Sequence, residues 1–597
     1  MLSNDAQKRA KRILGKHTGK SSRTNLVAIA EEQFERNVIR RFGKLWPVRR
    51  FVAVWLLLCV VLVGGVVAQT RALAGYYQAL EPTPGGIYHE GIIGSYTNAN
   101  PLYVTGQVND AVSKLLFSGL FSYDEQNRLT GDLAKSFEVD KTGTTYTVQL
   151  RDNLQWHDGK PLTAADVVFT YKSIQNPDVQ SPLTASWQNV AVTAKGDKTV
   201  IFKLPNPLSS FPQSLTTGII PEHAFEGVKP ANYRSSPFNT TEPIGSGPFS
   251  FKAIEVKGNS PSTRQEEIEL VPFRNYHEGE PKLSSIVFHT FPDEMRLVSA
   301  FEDRTINAMT GLQELPEALR GDESVKTNIM PLTAANMVFL KTTAGPLKDK
   351  AVRQALVGSA DVAALTKGLR QPILPVHEPI LSGTPGYDPT IQQLSFGPQK
   401  AEQILDGAGW VRGQDGIRTK DGQKLAFKLY CQDGRENRRI AEDLQRQWKR
   451  IGADVQVYRQ ADADLRATVS DHSYDALLYG ISLGVDPDGF VYWHSSQSDV
   501  RSASRLNLSE YSSPVADAAL EDGRTRSDPA LRAAKYKSFL EAWRDDAPAL
   551  GLYQPRFTYV TRGDVFNLRD HTLTTDTDRY NNVEDWMIRQ EPRTRQR

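Results

Sequence analysis

The sequence predicts a mixed α/β protein of two or more lobes, set behind one membrane-spanning helix. Three observations carry this. The stretch FVAVWLLLCVVLVGGVVA, residues 51–68, holds eighteen residues without a charge. At about 1.5 Å rise per residue such a helix spans roughly 27 Å, close to the roughly 30 Å of a hydrocarbon core. Roughly 510 residues of globular composition follow from Ile87, more than one ordinary core accommodates. Within them, short period-two segments alternate with helical patterns, the order expected of α/β folds.

The apolar run has no periodic polar face, which argues against a buried core helix, and as a helix it satisfies its own backbone groups in lipid. Gln69 and Thr70 can extend it. A cleaved signal sequence is the competing reading, because Ala72-Leu73-Ala74 before Gly75 has the form of a small-residue cleavage site. The fifty residues ahead of the run exceed an ordinary signal n-region and favour an uncleaved anchor over 51–70. Residues 1–50 hold 13 Lys+Arg against 4 Asp+Glu, so the near-neutral total of +2 hides a basic arm and an acidic remainder. Positive charge beside a membrane helix stays cytoplasmic, which puts the N-terminus inside and the large domain outside. The arm can rest on anionic lipid or remain a solvated tail. Residues 26–45 space Ile29, Phe34, Val38 and Phe42 as a short amphipathic helix. Gly19-Lys20-Ser21 lacks the earlier glycine of a phosphate loop. Arg40-Arg41 and Arg49-Arg50 lack the full twin-arginine export context. Cys59 lies in the apolar run and Cys431 far outside it, so no internal disulfide is expected.

Residues 71–86 read as a tether ending in Pro and Gly. Beyond it, 144–151 alternates as a strand, and 162–174 reads as a helix with Thr163 and Asp166 in capping-box spacing. Residues 199–204, 268–272 and 285–291 are strand-like, and 293–303 is helical. Helices are expected over 348–365 and 398–407. Strand 425–430, helix 436–451 and strand 453–458 form a βαβ unit. A late helix over 529–545 carries Tyr536, Phe539 and Trp543 on one stripe, read as core.

No catalytic or metal pattern emerges. There is no G-x-S-x-G, no H-E-x-x-H and no paired-cysteine motif, and the ten His are scattered without ligand spacing. His157-Asp158-Gly159 is a turn whose His reads as structural. Gly245-Ser246-Gly247 is too short for a phosphate cradle and reads as a close approach of backbones. Asp486-Pro487-Asp488 reads as a stiffened turn, with a calcium corner or a carboxylate pair as competitors. The expectation is no enzyme, no cofactor, no metal and no nucleic acid.

Six segments taken in order resemble one family. They are LLFSGLFSYDEQNRLTGD at 115–132 followed by LAKSFEV, YTVQLRDNLQWHDGKPLT at 146–163, IGSGPF at 244–249, VRQAL at 352–356, KAEQILDGAGW at 400–410, and YDALLYGISLGVDPDGFVYWHSS at 474–496. Together they resemble the extracellular solute-binding proteins of family 5, the oligopeptide- or dipeptide-binding component of peptide ABC importers. The resemblance implies a bilobed fold like the type II periplasmic binding proteins, with an extra subdomain. It implies lobe I over 87–117 and 237–335, an inserted subdomain over 118–236, lobe II over 336–556, and a return to lobe I with a C-terminal tail over 557–597. It implies a monomeric binding domain that closes on a peptide and delivers it to ABC permease subunits and their ATPase. A surface sensor or adhesion module of the same fold, and a binder of an oligosaccharide or metal chelate, are the alternatives.

The same resemblance nominates the cleft residues. Asn98, Asn100, Gly245, Ser246, Gly247, Asn336, Tyr479 and Ser482 are candidates, with Tyr492 and Trp493 as cleft walls or packing. In the family an Asp after the Y-D strand commonly anchors the ligand's amino end. Here that place falls on Leu483 or Gly484, so Asp486 is expected to meet the ligand's ammonium, with Asp488 as its competitor, because a buried ammonium without a counter-charge is costly.

Overall fold

A computed structural model describes residues 49–258, 260, 264–312, 314–502, 505–526 and 528–594. Residues 1–48 of the basic arm, and with them the amphipathic helix expected over 26–45, lie outside the described residues. Among the described residues two compact units emerge, one within 49–81 with 590–594 and one within 82–589.

In the first unit the apolar run is helical over Arg49–Tyr77. Its segment Arg50–Arg71 has a mean hydropathy of 2.9 and none of it is buried, so it is long and apolar enough to cross a membrane. The Thr70 hydroxyl folds back to the Val66 carbonyl at 2.9 Å. The stretch expected as a tether is therefore helical to Tyr77 and then a strand, Gln78–Thr83. No proline intervenes before Pro82 to stop the helix.

The second unit is organised by the fourteen-residue strand Ala549–Arg562. Its first half pairs with Ala334–Leu340 and Ile373–Pro375; its second half pairs with Val325–Pro331 and Ala308–Thr310. From one side the sheet continues through Ala476–Ser482, Ala426–Gln432 and Asp454–Gln460. From the other it continues through Ile87–Ile93, Ser285–Phe291, Gln265–Pro272 and Phe249–Lys257. Cores form separately at the two ends. Val338, Leu444, Trp448 and Leu550 belong to one, and Tyr88, Leu115, Phe288 and Trp586 to another. The expected βαβ unit is present. Strands Ala426–Gln432 and Asp454–Gln460 are parallel, joined by helix Arg435–Arg450, which buries Ile440, Ala441, Leu444 and Trp448 at near-four-residue spacing.

A separate four-stranded antiparallel sheet runs Ala134–Val139, Thr145–Leu150, Thr199–Lys203, Ala191–Ala194. Beside it helix Ala164–Gln175 starts as expected: the Asp166 carboxylate accepts the Thr163 backbone N–H at 2.9 Å. The helix expected over 348–365 is instead two, Lys350–Ser359 and Val362–Thr366. Asp361 ends one and caps the other by accepting the Ala364 N–H at 2.9 Å. The C-terminal segment is pinned by an ion pair with no exposure at either side chain. Arg579 meets Glu90 of strand Ile87–Ile93 at 2.7 Å, and the hydroxyls of Tyr559 and Tyr580 also donate to Glu90.

Candidate functional site: a cleft with committed carboxylates

A cavity of about 920 Å³ lies within the second unit. One wall is the hairpin Phe121–Tyr123 and Leu129–Gly131 together with strand Ala134–Val139 and the loop around Leu208. The opposite wall is the loop 381–385, the turn 485–487, Arg526 and Arg532. Thr333, which joins two strands of the long sheet, and Gln554, on its central strand, also line the space.

Strand Ala134–Val139 is a sheet edge, paired only with Thr145–Leu150 among the described residues. Phe137 and Val139 line the cavity and are unusually exposed for their type, at 39% and 43%. Such an edge offers backbone donors and acceptors to an added extended chain. The walls also touch. The backbone N–H and hydroxyl of Ser209 both donate to the Arg524 carbonyl, at 3.0 and 2.7 Å. The Gln213 amide donates to Asp486 at 3.2 Å.

Asp486 is the most engaged group in the cleft. Arg532 grips it bidentately at 2.8 and 2.5 Å, and the backbone N–H of Asp488 adds a bond at 2.9 Å. The carboxylate, with Tyr536 stacked nearby, raises the Arg532 guanidinium's affinity for its proton against the opposing effect of burial. Asp488 is 3.2 Å from Arg524, which lies over the Phe490 ring; burial pushes the Asp488 carboxyl up, against the pull of Arg524. Between these groups Pro487 fixes the turn. Gly484 has φ 69°, a left-handed conformation that a residue with a Cβ adopts reluctantly.

Of the residues nominated from sequence, Asp486 alone lines the large cavity. Its ammonium-binding role meets a carboxylate whose two oxygens already hold a guanidinium. Asn100 is fully buried, its amide on Asn239 at 2.9 Å and its oxygen accepting the Leu102 N–H; the Asn98 oxygen accepts the Asn100 N–H. These are turn-shaping bonds, outside the cavity. Gly245 and Gly247 press on the carbonyls of Leu116 and Leu115, where a Cβ would come within 1.8 and 2.5 Å. His157 clamps this crossing: its Nδ1 accepts the Gly245 N–H at 3.1 Å, Nε2 donates to the Gly247 carbonyl at 3.1 Å, and its own N–H meets the Gly245 carbonyl. Burial holds that imidazole neutral, its pKa lowered to about 4. Ser246 is buried at the same crossing. Asn336 pairs with Gly480 in the sheet, beside Tyr479 and Ser482, and the Tyr492 hydroxyl donates to the Ser482 carbonyl at 2.5 Å. Trp493 is packing: fully buried, stacked on Phe339 and edge-on to Trp543.

Sequence reasoning missed Arg532, Gln213, Phe137, Lys141 and Arg526. For Arg532 a signal existed. It lies four residues before Tyr536 on the stripe that continues through Phe539 and Trp543, and a lone Arg on an apolar stripe demands a buried partner.

Comparison with known proteins agrees with this architecture. The model of the bacterial extracellular solute-binding proteins, family 5 (middle region), matches residues 128–502. The oligopeptide-binding protein AppA of Bacillus subtilis is 29% identical over 520 residues, 85% of this chain and 92% of that protein. The crystal structure of that AppA in complex with a nonapeptide aligns with a TM-score of 0.66 at 28% identity, over 85% of this chain and all of that one. NikZ from Campylobacter jejuni in complex with Ni(L-His) aligns with a TM-score of 0.67 at 25% identity, over 84% of this chain and 99% of that one.

Proposed function

Because the chain belongs to the bacterial extracellular solute-binding proteins of family 5, we propose that it captures peptides in the 920 Å³ cleft and hands them to an ABC permease driven by its ATPase. The observation that carries this is the strand Ala134–Val139, a sheet edge among the described residues whose Phe137 and Val139 line the cavity. A peptide added there exchanges main-chain hydrogen bonds irrespective of its side chains, which gives affinity with little sequence discrimination. Relatives named for oligopeptide binding support the same cargo class. The binding domain works as a monomer and leaves its ligand chemically unchanged. Helix Arg49–Tyr77 anchors it, with the basic arm cytoplasmic and the large domain outside.

Mass spectrometry of ligand co-purified with the full-length protein tests the cargo. Intact peptides of mixed sequence are the expected result; a sugar or a metal chelate replaces the peptide reading. Protease added to intact cells should remove the large domain and spare a small N-terminal piece. Complete protection of that domain overturns the topology.

A further inference from the structure

The charged groups around the cleft are unevenly committed. Two carboxylates line it. Asp486 is held by Arg532, Gln213 and a backbone N–H. Asp140 accepts from the Thr142 hydroxyl and the backbone N–H groups of Thr144 and Thr145, in the turn that ends the edge strand. Neither leaves an oxygen free of a donor. The basic groups are Arg128, Lys141, Arg526 and Arg532. Arg128 faces Asp124 at 2.7 Å and Arg532 faces Asp486. Lys141 and Arg526 have no side-chain ion pair or hydrogen bond among the described residues. Asp522 is bonded to Lys535 at 2.9 Å, and the charge of Arg526 adds to that of Lys535 in holding its carboxyl low. Lys141 belongs to the wall that carries the edge strand and Arg526 to the opposite one, just past helix Pro514–Arg524. On the same lining the buried Nε of Arg532 and the Oγ1 of Thr333, 1% exposed, have no hydrogen-bond partner among the described residues.

Resting on the peptide reading above, we propose that this cleft selects peptides by negative charge: an acidic side chain or the terminal carboxylate is seated between Lys141 and Arg526, and the free amino terminus is not recognised. An anionic group supplies the close ion-pair partner that neither side chain has among the described residues. A cationic one meets two unpaired like charges, and such repulsion discriminates as effectively as attraction. Both side chains are exposed, so the preference weakens as salt screens them. An ammonium gains nothing at Asp486 while Arg532 holds both oxygens.

The test uses full-length protein in detergent and alanine pentapeptides with Glu, Gln or Lys at the centre, each with a free and an acetylated amino terminus, titrated by calorimetry. The Glu peptide should bind at least about tenfold more tightly than the Lys peptide, with Gln between. Acetylation should change each Kd by less than about threefold. The neutral pair Lys141→Gln with Arg526→Gln alters exposed side chains only and should bring the Glu/Lys ratio toward one; Lys141→Glu with Arg526→Glu should invert it. Equal binding of Glu and Lys peptides, or tighter binding of Lys, overturns the charge preference and leaves peptide binding intact. A loss of more than about tenfold on acetylation shows an ammonium anchor and overturns the indifference to the amino terminus. Failure of all six peptides to bind overturns the peptide reading itself, and the charge preference falls with it.

Discussion

Replacing Arg532 with methionine separates the two roles open to Asp486. In the native protein the guanidinium holds both carboxylate oxygens at 2.8 and 2.5 Å, and the two side chains are only 10% and 12% exposed. Methionine keeps much of the apolar stem and removes the charge. The abandoned carboxylate retains only the Gln213 amide and the Asp488 N–H. Breaking one partner of a buried pair costs about 3–5 kcal/mol. Two surviving donors place Arg532→Met near the lower end, about 3 kcal/mol. Asp486→Asn strands the guanidinium, whose Nε already lacks a partner, and should cost about as much. The double variant carries no uncompensated charge and should recover at least about 1.5 kcal/mol of the summed losses, as contacting charges do. Urea unfolding of the full-length protein, followed by tryptophan fluorescence, gives the three differences. Single losses below about 1 kcal/mol, the worth of a solvent-exposed pair, would refute a committed Asp486. So would strict additivity. The same variant carries a functional corollary: with Asp486 released, acetylating a peptide's amino terminus should weaken its binding to Arg532→Met and hardly affect the native protein.

Gly245→Ala places a Cβ within 1.8 Å of the Leu116 carbonyl oxygen and should lower stability by about 3 kcal/mol in thermal unfolding, since backbone rather than a side chain must yield. Trp493→Ala should cost about 3–5 kcal/mol by the same measurement, because the indole is fully buried against Phe339 and Trp543. His157 is neutral in the fold, its pKa lowered by burial to about 4 from 6.5. Its contribution is complete above the unfolded value and lost as pH falls through about 4, so Tm should drop across that acid window and the His157→Gln variant should drop less. Burial, with the charge of Asp388 adding to it, raises the Glu378 carboxyl to about 8 from 4.5. That contribution is complete below about 4.5 and lost as pH rises through about 8, so Glu378→Gln should be the more heat-resistant protein at alkaline pH, and equal Tm values there would refute a protonated Glu378.

Where the signal is local and repeated along the chain, the sequence determined the outcome by itself. The uncharged run at 51–68 becomes a helix because eighteen apolar residues leave no turn chemistry to stop it, and helix propagation carries it on to Tyr77. The Thr163–Asp166 cap and the βαβ unit around Arg435–Arg450 follow from spacing within a few turns. Six motifs in order named the family, and with it the two-lobed fold. The close approach at Gly245–Gly247 was legible too, though not its partner: His157 reaches it from a motif about ninety residues away, and only the folded chain puts the ring there. The cleft was the least legible part. Asn98, Asn100 and Trp493 look like ligand residues in sequence because polar and aromatic side chains serve turns and cores as readily as cargo. Asp486 looks like a free anchor because its counter-charge lies 46 positions downstream. Which carboxylates remain available to a ligand is a long-range property. Tertiary structure decided it here by bringing Arg532 to Asp486 and leaving the Lys141 and Arg526 side chains without an ion pair or hydrogen bond among the described residues, since a charge is neutralised by whatever lies within a few ångströms in space, at any distance along the chain.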